Sequence, residues 1–133
     1  MAVKIRIATW NLCLGLASKK NLVKHYITEN KIDICCLQET ELDNQINEDL
    51  LSFPGYGLEI EQNDLKRRVG MYVRSTVNYR RRTDLEANKR HLIVIDILGK
   101  PELRIITIYR TFMVGSYALP SRSRHLSVNP TNG

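Results

Sequence analysis

Residues 32–37, Ile-Asp-Ile-Cys-Cys-Leu, do most to limit what this chain can become. The stretch is apolar except for Asp33 and runs directly into Gln38-Glu39-Thr40. A strand with one wet face alternates apolar and polar residues, so a continuous apolar run reads as a strand buried on both faces. The chain must place a sheet around this strand and cover it from two sides. A polar cluster then follows at the strand's carboxyl end.

The flanking segments supply that sheet. Val3, Ile5 and Ile7 alternate with Lys4 and Arg6, a period-two strand with Trp10-Asn11 at its end. Gly15 breaks the chain. Ser18 is placed to cap a helix reaching about Asn30, with Leu22, Val23, Tyr26 and Ile27 on its apolar face. Residues 43–51 read as a short helix and 53–57 as a loop. Further strands are expected at 58–61, 69–74 and 78–82. Residues 91–98 and 103–109 form a hairpin across the turn Gly99-Lys100-Pro101. From Thr111 onward Ser, Pro, Gly and Arg dominate without periodicity. The chain thus divides into a folded part, 1–110, and a loop or flexible tail, 111–133. The order strand, helix, strand, then meander predicts an α/β fold, a mixed β-sheet with helices on one face.

Of the 133 residues, 43% are hydrophobic and 26% charged, enough for one packed domain and not a composition that stays disordered. The net charge of +6 suits a polyanionic partner such as nucleic acid. The basic residues cluster at Lys66-Arg67-Arg68, at Arg80-Arg81-Arg82 and at Arg122 and Arg124. The second cluster also fits a strand edge kept charged against aggregation. Cys13, Cys35 and Cys36 are odd in number, two are adjacent, and none has zinc-type spacing. They read as reduced core residues of a reducing compartment, which predicts an intracellular location, nuclear or cytoplasmic. No signal-peptide core and no membrane-length apolar stretch is present, so no membrane partner is expected.

Three polar signals sit at strand ends: Asn11, Glu39 and Tyr109-Arg110. Open α/β sheets gather their ligands at the carboxyl ends of strands. Glu39 offers a carboxylate to a hard divalent cation such as Mg²⁺ or Mn²⁺, and Asn11 can donate and accept beside it. Each residue also has an ordinary reading, the Asn as a turn former and the Glu as a solvated helix start. His25 lies on the helix and His91 opens a strand, and neither has a sequence partner for catalysis.

Thr9-Trp10-Asn11 followed by Ile32-Asp33-Ile34-Cys35-Cys36-Leu37-Gln38-Glu39-Thr40 resembles the opening signature of the endonuclease/exonuclease/phosphatase superfamily. Pro54-Gly55-Tyr56, the Arg68-Val69-Gly70-Met71-Tyr72-Val73 strand and Ile106-Thr107-Ile108-Tyr109-Arg110 support it. The last is similar to the "YRPP" segment of endonuclease domains in non-LTR retrotransposons. The resemblance spans about residues 3–110 and covers the N-terminal half of the family's four-layer α/β sandwich. It implies that Glu39 binds a catalytic Mg²⁺ or Mn²⁺, that Asn11 arranges the metal and phosphate site, and that Tyr109 contacts the scissile phosphate. It also implies DNA as the partner, and Lys66, Arg67, Arg68, Arg80, Arg81, Arg82 and Arg110 are the basic residues placed to contact it.

The departures from the family pattern carry equal weight. The sequence contains no "GDFN" element, and Thr111-Phe112 stands where Pro-Pro is expected. Ser123-Arg124-His125 carries Arg where the family's "SDH" has Asp. The expectation is a truncated phosphodiesterase-like domain, poorly active or inactive alone. The alternative is a non-catalytic nucleic-acid-binding or protein-interaction module derived from a retrotransposon endonuclease. Without the family's second half, one face of the sheet is expected to lie open, and a symmetric homodimer would cover it.

Overall fold

The apolar run forms the centre of the molecule. In the computed structural model, which describes residues 4–13, 15–43, 46–62, 66–86, 91–99 and 101–109, it becomes strand β2 (Ile34–Leu42). On one side β2 pairs in parallel with β1 (Ile7–Asn11), and on the other antiparallel with β4 (Arg67–Arg74). β3 (Tyr56–Ile60) pairs with β4 and completes a mixed sheet of order β1-β2-β4-β3. A second, antiparallel sheet has the order β5-β6-β7, built from β5 (Tyr79–Arg81), β6 (Leu92–Ile97) and β7 (Leu103–Ile108). The expected hairpin is the β6–β7 pair, with Val94 opposite Ile106.

β2 has a dry environment on both sides. Cys35 and Leu37 point toward helix α1 (Lys20–Glu29), in a core with Leu12, Leu16, Val23, Ile27 and Tyr72. Ile34 and Cys36 point the other way, into a core shared by Val69, Met71 and Val73 of the mixed sheet and Ile93, Ile95 and Ile97 of β6. The layers are therefore helix, mixed sheet and antiparallel sheet. The α/β class and the mixed sheet stand as expected. The open face does not: the chain's own second sheet packs against it. The sequence reading took β5, β6 and β7 as extensions of one sheet, because period-two patterns do not say which strands pair.

Local differences have physical causes. The first strand starts at Ile7, since the Arg6 N–H donates to the Asp33 carboxylate at 2.8 Å and the Arg6 carbonyl accepts from Asp33 and Ile34. Ser18 does not cap α1. It lies in a 3-10 turn, Ala17–Lys19, that leads straight into the helix, and no side chain caps the first turn. Only Val23 and Ile27 of the expected helix face are buried, while Leu22 and Tyr26 remain exposed. The short helix at 43–51 reduces to a 3-10 turn, Glu48–Leu51, capped by the Asn47 side chain accepting from the Asp49 N–H. A one-turn helix, α2 (Thr83–Glu86), was not expected. No helix among the described residues is long and apolar enough to cross a membrane. Val3, Lys100, Arg110 and the segment 111–133 lie outside the described residues.

Candidate functional site

The site begins with an irregularity in β2. Its pairing with β4 is regular from Ile34 to Gln38 and resumes only at Leu42. Glu39 and Glu41 in between have φ of 60° and 51°, the left-handed region that costs an L-residue about 1–2 kcal/mol. Thr40 anchors the bulge: its side chain is fully buried and its hydroxyl donates to the Arg67 carbonyl at 2.8 Å. The Leu16 N–H donates to the Thr40 carbonyl at 2.9 Å. A bulge re-aims side chains. Here Glu39 meets Asn11, and Glu41 meets Lys66 and Arg68. Glu39 is thus inside a strand, not just past its end as the sequence suggested.

Asn11, the last residue of β1, meets Glu39 directly. Its amide nitrogen donates to the Glu39 carboxylate at 3.0 Å, and its amide oxygen accepts from the Cys13 N–H at 2.9 Å. Cys13 has φ 61°. The parallel register puts Asn11 opposite Gln38, so the two strand ends bring the pair together.

Tyr109 follows β7 and joins the same end of the molecule through Arg68. The Arg68 guanidinium lies 5.7 Å from the Tyr109 ring centre, and its Nε is 3.8 Å from Glu41. Lys66 also faces Glu41, at 3.6 Å. Glu39 with Asn11, and Glu41 with Arg68 and Tyr109, therefore gather polar groups at the carboxyl end of β2, the start of β4 and the end of β7.

The sequence reading missed two residues beside these groups. Glu61, just past β3, is 3% exposed in its side chain. One carboxylate oxygen accepts from the N–H groups of Arg68 at 2.7 Å and Val69 at 3.0 Å, and the other from the N–H of His91 at 2.7 Å. The His91 ring nitrogen Nδ1 lies 3.2 Å from both oxygens. His91 has φ 58°, and its ring meets the Tyr109 ring edge-on with centres 6.0 Å apart. His91 therefore has the partner it lacked in sequence. The two are thirty residues apart and on different sheets, and no local signal joins them.

The other expected basic residues divide. Arg67 is buried, pairing with Glu48 at 3.2 Å and donating to the Asp43 carbonyl. Arg81 binds Glu86 at 2.7 Å and Glu59 at 2.8 Å, and so ties β5 and α2 to β3. Tyr79 donates to the same Glu59, and burial first, then that hydrogen bond, raises its phenol. Arg82 pairs with Asp84 and with Asp96. Hydrogen bonds from Arg104 and then Arg82 hold the Asp96 carboxyl well below the usual range. Arg80 is exposed, as Lys66 is. Cys35 and Cys36 are free and buried, and burial pushes the Cys36 thiol up to about 11, whereas Cys13 is free but exposed and so is not the core residue expected.

No cluster of three or more His, Cys, Asp or Glu side chains suited to a metal ion occurs among the described residues. One carboxylate with an amide beside it is the sparse protein donor set that Mg²⁺ accepts, since that ion keeps several waters. The Glu39–Asn11 pair fits it.

Solved structures share the fold. A 3′ phosphatase from Neisseria bound to product DNA hairpin is 23% identical, with a TM-score of 0.57 over 80% of this chain and 41% of that one. An AP endonuclease from Leishmania major is 20% identical, with a TM-score of 0.62 over 79% and 40%. The endonuclease domain of TRAS1, a telomere-specific non-LTR retrotransposon, is 17% identical, with a TM-score of 0.56 over 81% and 45%. The chain thus spans less than half the length of these structures. A search of curated proteins gives no match. The family model for the Endonuclease/Exonuclease/phosphatase family matches residues 8–130, and this chain belongs to that family.

Proposed function

We propose that this chain forms the metal- and phosphate-facing wall of a nucleic-acid phosphodiesterase, with DNA as its substrate class. The observation that carries the reading is the Asn11–Glu39 hydrogen bond on a strained bulge, at the same end of the molecule as Tyr109 and Arg68. In this reading Glu39 holds a Mg²⁺ or Mn²⁺ ion, which would supply charge neutralisation at the phosphodiester. Asn11 orients the Glu39 carboxylate, and Tyr109 contacts the scissile phosphate. Lys66, Arg68 and Arg80 are exposed or half-exposed and bind the backbone; Arg67 and Arg81 serve internal ion pairs. One structural neighbour is a 3′ phosphatase bound to product DNA hairpin and another is an AP endonuclease, which supports the substrate class.

The second reading is a non-catalytic nucleic-acid-binding module. It is favoured by the exposed Lys66 and Arg80 and the half-exposed Arg68, which can bind a polyanion without cleaving it. Self-association as a homodimer keeps a different basis from the expected open face: Leu103, Ile106 and Ile108 of β7 are exposed. The buried free cysteines support a reducing compartment.

Titration with Mn²⁺ by calorimetry, beside nicking of supercoiled plasmid, tests the assignment. Wild type is expected to bind metal at millimolar concentration and Glu39→Ala is not. Equal binding by both removes the metal site. Metal-dependent nicking supports the first reading; a salt-sensitive gel shift without nicking supports the second.

A further inference from the structure

Glu61 sets the chemistry of His91. An ionised carboxylate only accepts hydrogen bonds, so the Nδ1 atom that faces it must carry the ring proton. The carboxylate cannot turn away, because its oxygens also receive the backbone N–H groups of Arg68, Val69 and His91. The imidazole tautomer is thereby fixed, and Nε2, on the far side of the ring, is left as the variable atom. A carboxylate that holds one imidazole nitrogen so that the other can work is a recurring device for orienting a histidine.

The surroundings indicate what Nε2 works on. The ring packs edge-on to Tyr109, and Arg68 lies over the other ring of that contact. Tyr109 also donates its backbone N–H to the His91 carbonyl at 3.0 Å, so the two residues move together. His91 keeps a left-handed backbone that an L-residue leaves unless something holds it, and the Glu61 oxygen bound to its N–H does so. A guanidinium, a phenol and, once Nε2 takes up a second proton, an imidazolium on adjoining strand ends make a donor set for an anionic oxygen, not for a cation.

We propose that His91, oriented by Glu61, takes up a second proton and donates from Nε2–H to a phosphodiester oxygen of the bound nucleic acid, in a subsite shared with Arg68 and Tyr109. The proposal rests on the nucleic-acid reading above. It adds a phosphate contact at the start of β6, beside Tyr109 at the end of β7.

The test uses the full chain and a 12-base-pair DNA duplex of arbitrary sequence. Long-range ¹⁵N–¹H spectra of the three histidines should show His91 in the Nδ1–H form in the free protein, and its Nε2 resonance should move to the protonated position on adding duplex. His91→Gln, which retains a donor toward Glu61, should weaken duplex binding about tenfold, the loss of one charge-assisted contact, with an unchanged melting temperature. His25→Gln should leave binding unchanged. Backbone shifts elsewhere with a motionless His91 Nε2, and equal affinity for wild type and His91→Gln, would overturn this inference and leave the nucleic-acid reading intact. An Nε2–H tautomer in the free protein would overturn it too. No backbone shift anywhere at low salt would remove both.

Discussion

The two ends of the β-sandwich are both lined with charged side chains, yet they use them differently. At one end Asp33 accepts from the Arg6 N–H and pairs with Arg74 at 3.3 Å, while the Tyr56 hydroxyl donates to the Ile32 carbonyl at 2.6 Å. These bonds close the chain's own turns, and Lys31 is the single non-glycine residue there with positive φ among the described residues. At the other end Cys13, Glu39, Glu41 and His91 all have positive φ. Asn11, Glu39, Glu41, Arg68 and Tyr109 there are half-buried polar or charged groups, packed beside the buried Glu61. Strain persists only where the surroundings over-determine it, and its concentration at one end is what a binding surface requires and a simple cap does not. Ion pairing alone does not distinguish the two ends; backbone conformation does.

The comparison breaks first at Glu61. Glu61→Ala removes the acceptor of three backbone N–H groups and of the His91 ring in an almost fully buried position. Orphaned buried donors cost about 1–3 kcal/mol each, partly recovered by water entering the space left. The expected loss of stability is about 3–5 kcal/mol in urea denaturation, which is a large part of what a domain this size has. A loss under 1 kcal/mol would mean that the strained end does not depend on Glu61.

The sequence made the spine of the fold legible and the lateral contacts illegible. The doubly apolar run gave β2 because burial on two faces leaves a local trace in every residue. The β6–β7 hairpin was readable from its turn and its β-branched residues. The second sheet was not, because whether β5 pairs with β4 or with β6 depends on long-range packing. The Asn11–Glu39 pair was approachable, since both residues stand at the ends of strands recognisable in sequence. The Glu61–His91 pair was not, since it joins residues on separate sheets across a gap that sequence spacing does not encode. Arg67 and Arg81 look like their neighbours in sequence, and only burial separates them from Lys66 and Arg80.

Glu39→Gly sharpens the comparison from the functional side. Glycine adopts φ 60° freely, so the substitution relieves about 1–2 kcal/mol of strain. The extra backbone entropy of an unfolded glycine offsets about 0.5–1 kcal/mol of that gain. The net change expected is between zero and about 1 kcal/mol of added stability, with metal binding lost. Chemical denaturation beside Mn²⁺ calorimetry measures both. A destabilised variant would show that Glu39 supports the fold instead of a site.

The smallest effect is expected at the opposite end, from Arg74→Ala. The Arg74 side chain is 38% exposed, and its partner Asp33 keeps the Arg6 N–H as a donor after the guanidinium is gone. The Arg74 backbone N–H bond to the Asp33 carbonyl, at 2.8 Å, is untouched by the change. No buried group is orphaned, so the loss is that of a screened surface ion pair, about 0–1 kcal/mol, and it should shrink further in high salt. Tyr56 supplies an independent reading of the same charge. Burial raises its phenol and the nearby Arg74 guanidinium partly opposes that rise. In Arg74→Ala the Tyr56 ultraviolet titration should therefore move to higher pH while stability hardly changes. A loss above 2 kcal/mol would make this end as dependent on a single charged group as the Glu61 end, and the contrast between closure and site would fail.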